Sequence, residues 1–474
     1  MTAREYDVIV IGAGAVGENV ADAAVQGGMS TLIVEAELVG GECSYWACMP
    51  SKALLRPASA LRAAHDVGGA REAVTGGVDP SAAFARRDRI AHGWDDSAQV
   101  RWLDKTGIAL LRGLARFDGP RQIVVAGDDG AETPVSARHA VAICTGSAAL
   151  LPDIPGLADI APWTSRDATS ARTAPRSLAI LGAGLVATEM AAAYASFGTE
   201  VTVIGRSGVL RGQEPFAVEL VTESLRRSGV TVRTGTEVLS ARRTPAGATL
   251  ELSAGDPVTA EEVLVATGRI ARTGDLGLET LALPTGDWLD VDDTLRVRGF
   301  DWLYAVGDVN HRALSTHQGK YQARAAGAAI AARAAGIPVD DTPWSAYAAT
   351  ADHSAVPQVV FTDPEIATVG LTADAATAAG RSIRILDYDL SWIGGATTRA
   401  DDYRGHARAI VDEDRGVLIG ATFAGPDVAE LLHAATIAIV GEVPLERLWH
   451  AVPAYPTVSE VWLRWLEEYR GTGT

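Results

Sequence analysis

YDVIVIGAGAVGENVADAAVQGGMSTLIVE, residues 6–35, is the stretch on which the fold turns. It opens with an unbroken apolar run, passes through Gly12-Ala13-Gly14-Ala15-Val16-Gly17, continues as an Ala-rich amphipathic segment and closes on a second apolar run. Apolar runs without alternation read as strands covered on both faces. Strand, glycine turn, helix and parallel strand make a βαβ unit. The glycines divide the work. Gly12 allows a tight turn, Gly14 lets backbone N–H groups approach a pyrophosphate, and Gly17 lets the helix pack closely on the strand. The helix N-terminus then faces the phosphates. Glu35 closes the unit with an acid suited to a ribose diol.

The pattern recurs in SLAILGAGLVATEMAAAYASFGTEVTVIGR, residues 177–206, with Gly182, Gly184 and Ala187 in the three turn positions. One glycine motif alone is weak; two complete βαβ frames indicate two dinucleotide sites. The tails differ. Where the first unit has Glu35, the second has Gly205, then Arg206, with Arg211 beyond. Loss of the acid and gain of arginines suits a 2′-phosphate, so NADPH over NADH. The alternative is that these arginines face solvent.

The remaining punctuation fits the same plan. AICTGS (142–147), VLVATGR (263–269) and LYAVGDV (303–309) read as buried strands that end in tight turns. From about Tyr347 the pattern changes to antiparallel strands followed by a helix, a separate α+β region. The chain has 474 residues and a net charge of -18, which argues against a nucleic-acid partner. No stretch reaches the ~18 unbroken apolar residues of a membrane span. No signal peptide is visible, and three cysteines in so long a chain do not make a secreted disulfide framework, so the cytoplasm is expected.

Two of those cysteines lie in GGECSYWACMPSK, residues 40–52. Cys43 and Cys48 could be metal ligands, a structural bridge or a redox pair. In an ideal helix, residues five apart have Cα atoms roughly 8.5 Å apart, whereas a disulfide needs less than about 7 Å. A bridge here therefore requires a distorted helix start. No third Cys or His lies nearby to complete a metal site, and none is expected. Cys144 reads as a small buried residue.

These motifs, in this order, resemble the FAD-dependent pyridine nucleotide–disulfide oxidoreductases, the group that holds dihydrolipoyl dehydrogenase, glutathione reductase and mercuric reductase. The resemblance rests on Gly12 to Gly17 with Glu35, Gly41 and Cys43 to Lys52, Thr145-Gly146, Gly182 to Gly184, Ala266 to Arg269 including Gly268, Tyr304 to Val309, and Val356 to Gly370. It implies an α/β protein with two Rossmann-like domains, for FAD and NAD(P)H, plus a C-terminal α+β dimerisation domain. The implied boundaries are 1–150 and 273–345 for FAD, 151–272 for NAD(P)H, and 346–474 for dimerisation. Gly307 and Asp308 would meet the flavin's ribityl chain. Lys52 and Glu189 match an ion pair placed beside the flavin, where a positive charge favours its reduced anion. Cys43 would meet the substrate and Cys48 the flavin, with electrons running from NADPH through FAD and the disulfide to an acceptor. Redox thiols of this kind need lowered pKa values.

The chain departs from the family at two places. Tyr45 and Trp46 stand between the cysteines, and Glu42 sits where threonine is common. An acid beside Cys43 disfavours its thiolate. At the other end, HAVPAYPTVSEVW (450–462) places Tyr455 where the family has a histidine, ahead of Pro456, Thr457 and Glu460. A phenol titrates near pH 10 and is a poor base at neutrality. His450 would compensate only if the backbone path differed, and His317 matches a supporting position near the flavin. The expected function is a homodimeric NADPH-dependent flavoenzyme with a disulfide acceptor. The alternatives are direct flavin-to-quinone transfer, as in a diaphorase, and mercuric-ion-type reduction.

Overall fold

The computed structural model describes residues 4–471. The chain divides into two compact units. The first comprises the stretch that ends at Pro50, with Asp88–Leu150 and Gly268–Asp352; the second comprises Ser51–Arg87, Leu151–Thr267 and the stretch from His353 onward.

In the first unit the strand Arg4–Ile11 lies between two parallel neighbours, Thr31–Glu35 and Glu132–Ile143. Ala109–Arg112 extends the sheet on one side, and Leu303–Ala305 pairs in parallel with Glu132–Ile143. Leu114–Gly119 and Gln122–Ala126 add an antiparallel ribbon. Val8, Ile9 and Val10 are wholly buried. Each such side chain contributes about 1.5–3 kcal/mol, so a strand covered on both faces must be apolar throughout.

The helix Ala15–Gln26 packs on this sheet and on the long helix Thr316–Ala334. Small residues let the two helices approach. A Cβ added at Gly327 would lie 2.4 Å from the Ala23 Cβ, and one at Gly319 would lie 2.5 Å from Val16. This contact aims the start of the long helix at the cysteine segment.

In the second unit a parallel sheet runs in the order Thr231–Thr234, Glu200–Gly205, Ser177–Leu181, Glu262–Val265. The helix Leu185–Ser196 connects its two central strands. Both βαβ frames therefore form where the glycine patterns place them. The C-terminal region is a five-stranded antiparallel sheet, Gln358–Val360, Glu365–Gly370, Val417–Gly425, His406–Asp412 and Ile383–Asp389 in order. The helix Leu432–Val440 packs on it, and the helix Val461–Arg470 lays Trp465 against Phe423, 5.3 Å between ring centres. Among the described residues no helix is long and apolar enough to cross a membrane.

The tightest point of the first unit is Gly17, where an added Cβ would lie 1.9 Å from the Gly12 carbonyl oxygen. Backbone must move to admit it. Gly17→Ala is expected to lower the onset of thermal unfolding by several degrees, as a steric insertion costing about 1–3 kcal/mol does. An unchanged melting curve by circular dichroism would contradict this packing.

Candidate active site

The first glycine turn forms as its sequence implies. Gly12 is left-handed (φ +99°), and Gly14 caps the helix Ala15–Gln26. Gly41, also left-handed at φ +59°, presses on it so closely that a Cβ there would lie 2.7 Å from the Gly14 Cα. Glu35, at the end of its strand, accepts hydrogen bonds from Ala13 N (2.6 Å) and Glu37 N (2.7 Å). Burial raises its carboxyl above the ordinary range.

A second set of residues converges from later in the chain. Gly307 donates its N–H to Gln322 Oε1 at 2.8 Å. Asp308 accepts from the Ser147 hydroxyl at 2.5 Å, and burial pushes its carboxyl up. Arg269 donates to both the hydroxyl and the carbonyl of Ser147, at 2.5 and 2.7 Å. Gly146 is left-handed, and Gly268 accepts from Leu150 N at 2.9 Å. The Thr145 hydroxyl is buried with no hydrogen-bond partner among the described residues.

These features suit FAD. The glycine turns leave backbone where a pyrophosphate needs close approach, Glu35 ends a strand beside the first turn, and Thr145 holds a buried polar atom with no partner among the described residues. Gly12, Gly14, Gly17, Gly41, Glu35, Thr145, Gly146, Gly307 and Asp308 would hold the cofactor.

The cysteine segment breaks as a bridge requires. Gly41–Tyr45 is one short helix and Cys48–His65 another, with Trp46 at φ −135° between them. Cys43 and Cys48 hydrogen-bond to one another, and the Thr316 hydroxyl serves both, 3.2 Å from Cys48 Sγ. No disulfide joins the two sulfurs. The hydrogen bond to Cys48 and burial push the Cys43 thiol up, while Thr316 and Lys320 pull it down. Two adjacent thiols cannot both ionise easily, so a reduced pair carries its first negative charge far more readily than a second. Cys144 is buried, and burial alone raises its thiol.

Tyr45 is wholly buried, with its hydroxyl 3.2 Å from the Val39 carbonyl, so its ring serves the core and does not narrow access to the thiols. Glu42 does not face Cys43 as a bare charge. Arg272 donates to it at 3.0 Å and Arg269 at 3.4 Å, which offsets much of its effect on the neighbouring thiol.

In the second unit Gly182 is left-handed, Gly184 caps the helix Leu185–Ser196 and Ala187 is fully buried. Arg206 and Arg211 are exposed beyond the strand end at Gly205. Lys52 and Glu189 form an ion pair at 2.8 Å. Glu189 is buried, its other oxygen accepts from Phe361 N at 3.0 Å, and the Lys52 ammonium lies over the Phe361 ring. Tyr455 is 78% exposed with its ring against Gly394. Glu460 is buried and pairs with Arg464 at 3.5 Å, its second oxygen unpartnered among the described residues. His450 is exposed; His317 is also exposed, 3.2 Å from the Ser315 hydroxyl.

Sequence reasoning missed Thr316, Lys320, Ser147 and Glu18. Thr316 and Lys320 carried a signal, since residues four apart share a helix face. Glu18, on the first turn of Ala15–Gln26, carried none. Its Oε1 is buried without a partner among the described residues, and burial pushes its carboxyl up to about 7. Because that value exceeds the ordinary 4.5, the folded chain binds more protons than the unfolded chain between the two. The contribution favours folding at low pH and is lost as pH rises through about 7. Glu18→Gln should therefore stabilise the protein at pH 8 and leave it nearly unchanged at pH 4; equal shifts in thermal unfolding at both would contradict the assignment.

Comparison with known proteins agrees with this geometry. The family model for pyridine nucleotide-disulphide oxidoreductases matches residues 6–333, and the model for that family's dimerisation domain matches residues 356–465. A protein named dihydrolipoyl dehydrogenase 2 from Haloarcula marismortui is 32% identical, over 96% of this chain and 94% of its own. A mercuric reductase from Streptomyces lividans is also 32% identical, over 96% of this chain and 94% of its own. Among solved structures, the HOCl-induced flavoprotein disulfide reductase RclA from Escherichia coli, as a Cu(II) complex, shares the fold with a TM-score of 0.83 at 21% identity. That match covers 99% of this chain and 100% of the other. A match across both dinucleotide units and the C-terminal region places the chain in the pyridine nucleotide-disulphide oxidoreductase family, whose members are enzymes that use FAD and a pyridine nucleotide.

Proposed function

We propose that this enzyme oxidises NADPH and passes the electron pair through Cys43 and Cys48 to a disulfide acceptor. The observation that carries the reading is the contact between the two thiols across a broken helix, with one hydroxyl bonded to both. A structural bridge would have no use for that hydroxyl. FAD, when bound, supplies the step that takes hydride from the nicotinamide and delivers two electrons to the cysteine pair.

The chain's own residues do the rest. The Cys43 thiolate attacks one sulfur of the acceptor disulfide and expels the other as the first product thiol. Cys48 then attacks the Cys43 sulfur, re-forms the bridge and releases the second product thiol. The Thr316 hydroxyl donates to whichever sulfur carries the charge. Lys52 and Glu189 keep a fixed cation near the flavin, as the family's arrangement implies. Arg206 and Arg211 meet the 2′-phosphate of NADPH, and Gly182, Gly184, Ala187 and Gly268 shape that cofactor's turn. The match to the dimerisation domain supports a homodimer, with Tyr455 and Glu460 contributed by that region.

Tyr455 favours a second reading. An exposed phenol in place of a histidine is a poor proton acceptor for a thiol, so electrons would pass from flavin straight to a quinone. The two readings separate on Cys48→Ser. We expect this variant to keep its FAD and lose disulfide turnover entirely. The unmodified enzyme should take up two NADPH per FAD anaerobically and gain two reactive thiols. Uptake of one NADPH, or disulfide turnover in Cys48→Ser, would overturn the thiol route. For the cofactor, Arg206→Ala should raise the KM for NADPH about tenfold or more, as loss of a charge-assisted phosphate contact does, and leave that for NADH within twofold. Equal changes would remove the basis for preferring NADPH.

A further inference from the structure

The turn that carries Gly307 and Asp308 is held from within the first unit by a side-chain amide. Gln322, in the second turn of the long helix Thr316–Ala334, is wholly buried. Its Oε1 accepts two hydrogen bonds at 2.8 Å, one from Gly307 N and one from Asn310 Nδ2. Asn310 also donates to the Ala305 carbonyl at 3.0 Å, which closes the turn on its own strand end. The other end of the amide, Nε2, donates to Asp352 Oδ2 at 2.9 Å. Gln318, one turn earlier on the same helix, donates to Asp352 Oδ1 at 2.7 Å. The Asp352 side chain is 1% exposed and lies 3.7 Å from the Arg312 guanidinium. Turned over, the Gln322 amide would set its NH2 against two N–H donors and its oxygen against a carboxylate, so these partners admit one orientation.

We propose that Gln322 is a positioning residue for the flavin: it fixes the Gly307 peptide and, through it, the place of the Asp308 carboxyl. The inference rests on the reading of Gly307 and Asp308 as the turn that meets the flavin. The backbone geometry of that turn is unusual and closely packed. Gly307 is left-handed at φ +85°, and a Cβ there would lie 3.1 Å from a methyl of Val16 on the helix Ala15–Gln26. The long helix reaches the same point at Gly319, where an added Cβ would lie 3.4 Å from the Gly307 Cα. Residues three apart share a helix face, so the packing that seats Gly319 also aims Gln322 at the turn. The Asp308 carboxyl has a separate anchor in the Ser147 hydroxyl at 2.5 Å. Backbone and side chain of the turn are thus held by different groups, and Gln322 is the one that holds the backbone. A space-filling role needs no polar atoms, whereas a buried amide matched at both ends specifies one geometry.

The test is FAD release on serial dilution of the FAD-loaded enzyme, read by the fluorescence of free flavin and compared with the unmodified chain at the same pH. Gln322→Met leaves the buried Gly307 N–H without an acceptor and should weaken FAD binding about tenfold or more at every pH. Gln322→Glu sets a second carboxyl against Asp352, with Arg312 and its partner Asp293 behind. Two carboxyls in contact share a proton at low pH and repel once both ionise, so this variant should match the unmodified chain within about twofold at pH 5.5 and bind about tenfold more weakly at pH 8.5. A merely structural role would weaken it equally at both. A folded Gln322→Met that holds FAD as tightly as the unmodified chain overturns the proposal. If that variant does not fold, a Gln322→Glu whose affinity relative to the unmodified chain is the same at both pH values overturns it. Asp308→Ala separates this inference from the reading beneath it. Loss of FAD in Asp308→Ala but not in Gln322→Met rejects the role of Gln322 alone, and full retention in Asp308→Ala rejects the assignment of the turn.

Discussion

Backbone touches backbone where the first glycine turn meets the cysteine segment. Gly14 and Gly40 form an isolated bridge, Gly40 N donates to the Ala13 carbonyl at 2.7 Å, and Gly41 leaves no room for a side chain over the Gly14 Cα. At the same point Gly17 lies on the Gly12 carbonyl and Gly12 on that of Cys144. Three segments, the Gly12–Gly17 turn, Gly40–Gly41 and Cys144, therefore close on one spot because four glycines present no Cβ there. The constraint sets the distance between the turn that would hold a pyrophosphate and the turn that carries Cys43. On the proposed reading, the cysteine segment and the cofactor turn would share one seat, so a change in either turn would displace the other.

From that seat the charges follow in order. Arg269 reaches Ser147, Ser147 reaches Asp308, and Arg269 and Arg272 together hold Glu42 beside Cys43. The acid that looks hostile to a thiolate in the sequence is thus part of a compensated cluster. The Thr316 hydroxyl, at the start of the long helix, reaches the cysteine pair from a different element. Its partner cysteine and burial hold the Cys43 thiol up, the cysteine foremost.

The fold was legible because its signals are local and repeated. Two apolar runs around a glycine turn dictate a βαβ unit whatever surrounds them, and the chain states that pattern twice. The need for a helix break between Cys43 and Cys48 was also legible, since an unbroken helix holds the two too far apart. What the sequence hid depends on approach between distant segments. Nothing near Glu42 announces Arg269 and Arg272, more than two hundred residues away. Tyr45 stands between the two cysteines in the sequence and is a core residue in the structure, because spacing along a short helix does not say which face is buried. Glu18 read as one more polar residue on an amphipathic helix, and only the packed structure shows its oxygen buried without a partner.

The two sets of arginines differ in how far water reaches their charges. Glu42, Arg269 and Arg272 are each no more than about one-third exposed, whereas Arg206 and Arg211 stand in solvent. Dissolved ions screen exposed charges over roughly 8 Å at physiological strength and reach half-buried ones much less. On the reading proposed above, ionic strength would therefore act at Arg206 and Arg211: rising salt would weaken their hold on a phosphate-bearing cofactor and leave the half-buried charges beside Cys43 nearly unscreened.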